Sequence, residues 1–256
     1  LDSAGYSLAT VEDNDGASVL LAGATTDNIG ALTVDNVYSG IVDIRTAMSK
    51  ANIPDDGRRY LLVTPDTYAL VLKCPEFVKA SQLGAEVIQN GIVGKIAGFN
   101  VIEWNDSTAN LAMIAGHPRF ATRAEEFAVP VHIQDLSGSG TFIGASAVQG
   151  RLAYGHKVLR SVAIRAVYAP TNLKGTVAAS AGGVKVTITS GNSGTTYAYK
   201  VNPAERAVFD MTKTAYAGTD LTSGTTEISA SAGDVIEVVN LVSSKVAAVG
   251  YFTVKA

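Results

Sequence analysis

A chain of 256 residues that is 47% hydrophobic and 17% charged, with 25 glycines, is neither disordered, a coiled coil nor collagen. Its 20 basic and 23 acidic residues, net −3, provide no overall basic field for nucleic acid. One cysteine, Cys74, excludes an internal disulfide framework and a multi-thiolate metal site, and leaves the redox compartment open. At about 150 residues per domain, the length fits one large or two modest domains, with room for a core that needs no disulfide or metal. No apolar run reaches the ~18 residues of a membrane span. The start, Leu1-Asp2-Ser3-Ala4-Gly5, has neither a methionine nor the regions of a signal peptide, and reads as a processed or trimmed chain.

In chain order, the first thirty residues read as irregular. Asp13-Asn14-Asp15-Gly16 is a turn signal, and Ser18-Val19-Leu20-Leu21-Ala22 is a short strand beyond it. After Thr33, Val34, Val37, Tyr38, Ile41, Val42, Ile44 and Met48 form a helical stripe, with Thr33 or Asp35 as N-cap. Ile53-Pro54-Asp55-Asp56-Gly57 ends that helix. Tyr60-Leu61-Leu62-Val63 is then a buried strand, and Thr64-Pro65-Asp66 caps a second helix running to Cys74-Pro75. Residues 76–83 predict a further short helix. Strands follow at 99–104 and 111–115, so the middle of the chain alternates α and β.

From Ala128 the pattern becomes extended, at 129–134 and again over the eleven alternating residues 158–168, with a flexible loop at 136–140. Ala169-Pro170-Thr171-Asn172 is the best domain boundary. Beyond it no convincing helix remains. Strands at 184–189, 195–201, 225–228, 235–239 and 247–254, separated by turns such as Gly182-Gly183 and Ala232-Gly233-Asp234, indicate a β-sandwich of immunoglobulin-like size that folds alone.

The chemical inventory is thin. His117, His132 and His156 have no spacing that puts two on one helix face, so a zinc site would require convergence from distant segments. Cys74 lies at a helix end, where the dipole raises a thiol pKa, and reads as a small buried hydrophobe. Gly138-Ser139-Gly140-Thr141-Phe142-Ile143-Gly144 approaches a phosphate cradle, but its last glycine comes one residue late. Glu125 and Glu126 are adjacent and so point to different faces. Arg58-Arg59 is too small a patch for nucleic acid and suits a hinge or an intersubunit salt bridge. No catalytic, cofactor or metal site is assigned, and the chain is read as no enzyme.

Four blocks carry a resemblance: "RRYLLVTPDTYALVLKCPEFVKAS" (58–81), "GIVGKIAGFNVIEWND" (91–106), "AGHPRFATRAEEFAVPVHIQD" (115–135) and "AVQGRLAYGHKVLRSVAIRAV" (147–167). In this order, after the 34–50 helix and "NIPDDGRRYLLVTP", they resemble the C-terminal half of a tailed-bacteriophage major capsid protein of the Hong Kong 97-like superfamily. The resemblance covers residues 32–167. It implies an α+β class, with a partial capsid fold at 1–170 followed by an all-β immunoglobulin-like sandwich at 171–256. Residues 32–126 would be mostly A domain and 127–170 P-domain strands. The N-terminal arm and spine helix of the family are expected to be absent here.

The implied function is a structural subunit of a phage head, a virion component made in the bacterial host cytoplasm. Its partners would be copies of itself, in hexamers and pentamers of the full-length protein, and other phage head proteins. Neither specific nucleic acid nor a membrane is expected as a partner, and no cofactor. The tail is similar to immunoglobulin-like domains appended to phage structural proteins, which implies an outward-facing accessory module in weak contact with glycans or cell surfaces. Tyr197, Tyr199, Tyr216 and Tyr251 are candidates for a sugar-stacking surface there, or alternating core residues. The alternatives are a carbohydrate- or cell-binding adhesin carried on a scaffold domain and an α/β enzyme.

Overall fold

The computed structural model describes residues 2–75, 94–106, 108–136, 144–190 and 196–255. Helix α1 (Asp2–Gly23) opens it, followed by β1 (Thr25–Asn28), α2 (Val37–Lys50), β2 (Tyr60–Val63) and α3 (Pro65–Lys73). Then come β3 (Lys95–Ile96), β4 (Phe99–Glu103), β5 (Leu111–Gly116), β6 (Ala121–Asp135), β7 (Ser146–Val158) and β8 (Ile164–Tyr168). The remainder is β9 (Thr171–Asn172), β10 (Gly175–Ser180), β11 (Gly183–Ile188), β12 (Thr196–Val201), α4 (Lys213–Tyr216), β13 (Thr219–Leu221), β14 (Glu227–Ile228), β15 (Val235–Val242) and β16 (Lys245–Thr253). The class is α+β.

A mixed six-stranded sheet, in the order β1-β8-β5-β2-β4-β3, forms the body. The stripe of α2 does what its spacing dictates: Val37, Ile41, Ile44 and Met48 are buried in one cluster with Leu61 and Val63 of β2 and Val71 of α3. The N-cap of α2 is Asn36, not Thr33 or Asp35, and its Oδ1 accepts from the Thr33 N–H at 2.7 Å. Thr64 caps α3 with Pro65 in the first turn, and Cys74 closes it as a fully buried thiol. The helix expected at 76–83 and the glycine loop at 138–143 lie outside the described residues.

Three expectations are corrected. First, residues 2–23, read as irregular with a turn and a short strand, form a 22-residue helix, and the stretch read as a turn lies inside it. Its apolar residues make no stripe, because little of the helix enters a core: just Glu12 and Ala17 are buried, and Glu12 pairs there with Arg123. Gly16 is there for closeness, since a Cβ would meet the His156 ring at 3.2 Å. Second, the eleven-residue strand at 158–168 is broken. β7 ends at Val158, a single 3-10 turn covers Ser161–Ala163, and β8 begins at Ile164. Third, β8 joins the central sheet between β1 and β5, whereas β6 and β7 form a separate two-stranded ribbon with α1 along it.

At about 3.3 Å per residue, the 15 residues of β6 reach roughly 50 Å, far beyond the four- to six-residue strands at the centre of the body. In the C-terminal part, a three-stranded sheet (β10-β11-β14) faces a five-stranded one (β13-β12-β15-β16-β9) across Val184, Val186, Ile228, Ile236, Val238 and Phe252. Among the described residues there, the single turn of α4 is the one departure from the expectation of no helix. The outer face of the five-stranded sheet is also covered: Val239, Leu241, Val246 and Val249 pack with Ala207, Tyr216 and Ala31.

Candidate functional site

The three histidines stand apart. His117 is fully buried before a 3-10 turn, its Nδ1 accepting from the Arg119 N–H at 3.2 Å, so its Nε2 donates to Asp56 Oδ1 at 2.9 Å. This bond holds the Asp56 carboxyl below the usual range, and the Arg58 N–H, donating to Asp56, adds to the effect. His117 is therefore a latch between the 54–58 turn and the end of β5. His132 lies exposed on β6, with Pro130 and Gln149 as its partners. His156, on β7, packs on Gly16 and the Tyr154 ring. No cluster of three potential metal ligands occurs among the described residues.

Arg58 and Arg59 diverge, which corrects the intersubunit salt-bridge reading for the second of them. Arg58 is exposed, but Arg59 is 1% exposed and works inside the subunit. Its guanidinium donates to Pro54 O at 2.9 Å, Ser49 Oγ at 3.2 Å and Ile53 O at 2.5 Å. It thus supplies donors to two carbonyls of the turn that follows α2. Glu125 accepts from Arg123 at 2.8 Å, next to a register shift in the ribbon. The side chain of Glu126 lies outside the described residues.

The four tyrosines do not share a surface. Tyr197 and Tyr199 point into the sandwich core, whereas Tyr216 and Tyr251 belong to the cluster on the opposite face of the sheet. Tyr216 is 1% exposed and donates to the Glu237 carbonyl at 3.3 Å. Burial pushes its phenol far up, and that of Tyr251 up to about 12. Lys200 and Arg206 lie over the Tyr216 and Tyr251 rings, at 4.7 and 4.8 Å from their centroids. A flat stacking platform needs rings side by side on one exposed face. These four are divided between two interiors.

What remains is surface, and its main feature escaped the sequence reading. The ribbon β6–β7 and helix α1 form a projecting unit without a closed interior: among the described residues of both strands none is buried. Helix and ribbon are joined by apolar contacts at the base, where Leu20 and Leu21 pack with Ala121 and Val158, and by polar ones further along. Arg123 pairs with Glu12 at 2.5 Å and Tyr154 donates to Asp15. Meanwhile large apolar groups face outward: Tyr6 and Val11 on α1, and the directly paired Ile133 and Val148 near the ribbon's far end, 60% and 55% exposed. Between α1 and the outer face of β2 and β4 lies an open cavity of about 610 Å³, lined by Leu20, Tyr60, Leu62, Trp104 and Arg123 among others. The sequence reading held only the alternation at 129–134 and, through the resemblance, P-domain strands at 127–170, without their pairing.

Comparison with known proteins fits this geometry. A family model described as phage capsid protein matches residues 1–179. No curated protein sequence matches the chain. Among solved structures, a chain of Mycobacterium phage Che8 is similar at TM-score 0.56 and 19% identity, over 65% of this chain and 61% of that one. A chain from the capsid of cyanophage P-SCSP1u is similar at TM-score 0.53 and 14% identity, over 64% and 63%. At such identities the likeness establishes the fold, and it spans about three fifths of those longer chains.

Proposed function

Because the chain belongs to the phage capsid protein family, a structural and non-enzymatic class of virion protein, we propose that it is a shell subunit that self-assembles through extended contacts. One observation carries the reading: a ~50 Å ribbon, none of whose described residues is buried by its own subunit, which with its helix bears exposed apolar side chains far from the body. Such a unit gains little by folding alone, since two-stranded sheets are marginal in water, and it gains much by packing on neighbours. The six-stranded sheet with α2 and α3 takes the part of the A domain. Helix α1 with β6 and β7 takes that of the P domain. Copies of the chain in hexamers and pentamers are the partners, with the C-terminal sandwich as an accessory module facing outward.

The test is assembly of the complete gene product, followed by light scattering and electron microscopy. Shells or capsomers are expected from the parent. Ile133→Lys with Val148→Glu keeps a favourable cross-strand pair but replaces the apolar surface, and should leave free subunits with an unchanged circular dichroism spectrum. A parent that stays monomeric at high concentration, or a variant that assembles equally well, would refute the reading.

A further inference from the structure

We propose that the C-terminal sandwich is an internal brace, which clamps the strap joining α1 to the body and so fixes how the projecting unit is held. The strap, residues 24–32, has two sets of partners. Through β1 it pairs in parallel with β8, and both Asp27 carboxylate oxygens accept from Arg165 Nη1. The Ile29 N–H continues that ladder by donating to Tyr168 O at 2.9 Å.

From this point the partners belong to the sandwich. Gly30 bridges to Val208, and the Phe209 N–H donates to Ile29 O at 3.0 Å. Ala31, 3% exposed, is buried among Ala198, Ala207, Val239 and Val249. The Asn172 amide donates to Leu32 O at 3.2 Å.

Two further contacts lie outside the strap. Asn110, in the left-handed region at φ 63°, donates its amide to Ala169 O at 3.1 Å and to Ala247 O at 2.8 Å. The Tyr168 and Phe209 rings stack with centroids 5.7 Å apart. A module tethered only through its linker would touch the body near residue 170. Here the contacts come from residues 29–32, 110, 168, 208–209 and 247, and one of them, Ala31, is buried in the cluster on the outer face of the five-stranded sheet. Independent motion of neighbouring domains is the default where they meet only at a linker; here a buried Ala31, a ring stack and several hydrogen bonds oppose it together. The sandwich thus restrains the strap just past its pairing with β8, and α1 with it.

Hydrogen exchange on the intact protein tests this. In the parent, the Ile29 and Phe209 amides should open together, with the same dependence on denaturant. Phe209→Ala removes the stack, and Asn110→Gly removes the amide while keeping the backbone conformation. Each should speed exchange at 29–32 by about tenfold and leave β2 and β5 unchanged. If Ile29 opens in the parent by a shallower, separate process while Phe209 stays protected, the brace is refuted. Variants that loosen the sandwich without altering the strap refute it as well.

Discussion

Replacing Arg59 measures how a buried guanidinium supports the turn between the first packed helix and the central sheet. Arg59→Met keeps the length and apolar stem of the side chain but leaves Ile53 O and Pro54 O without their donor. Each buried carbonyl so stranded costs about 1–3 kcal/mol. The apolar replacement recovers part of this, because it no longer desolvates a charge. The net expectation is a loss of about 2–4 kcal/mol, with Arg59→Lys losing about half as much, since an ammonium reaches fewer of these acceptors. Urea unfolding followed by the fluorescence of Trp104, the single tryptophan, reads this directly. At a slope of about 2–3 kcal/mol/M the Met variant's midpoint falls by roughly 1 M. If Arg59 acted instead as an exposed intersubunit charge, the isolated subunit would lose at most about 0.5 kcal/mol. A Met variant inside that limit would refute the reasoning.

The Asp56–His117 latch predicts acid sensitivity. The Asp56 pKa lies below its ordinary 3.8 because of the His117 bond, so its contribution is complete above that value and is lost as pH falls through the lower, folded one. The acid limb of a pH–stability curve should therefore flatten in Asp56→Asn, and an unchanged limb would count against the latch. Gly23→Ala brings a Cβ to 2.6 Å from two atoms of Val158. That crowding, where the helix meets the ribbon, should cost about 1–3 kcal/mol in thermal or urea unfolding despite the better helix propensity of alanine; a stabilised variant would show that helix and ribbon separate freely.

Local chemistry was legible wherever an element carried its own pattern. The stripe Val37, Ile41, Ile44 and Met48 is buried as its spacing requires. The strand Tyr60–Val63 and the proline-capped helix after it follow from a short apolar run and Thr64-Pro65. Helix α1 was illegible for the complementary reason. Only two of its residues are buried, one of them charged, so no apolar stripe marks it, and its Asp13-Asn14-Asp15-Gly16 stretch looks like a turn until His156 is seen lying against Gly16. The break at 159–163 was hidden because strand alternation continues on both sides of it.

The sequence by itself determined the absence of a disulfide framework, the change from mixed α and β to strands near Pro170, and the ordered blocks that resemble a phage coat. These depend on residue identity and on neighbours a few positions apart. Only the tertiary structure decided that β8 belongs to the central sheet, that Arg59 serves its own subunit, that the four tyrosines face two interiors, and that the sandwich grips residues 29–32. Each of those depends on which distant segments meet, and a one-dimensional pattern of polar and apolar residues says which side chains avoid water without saying what they pack against.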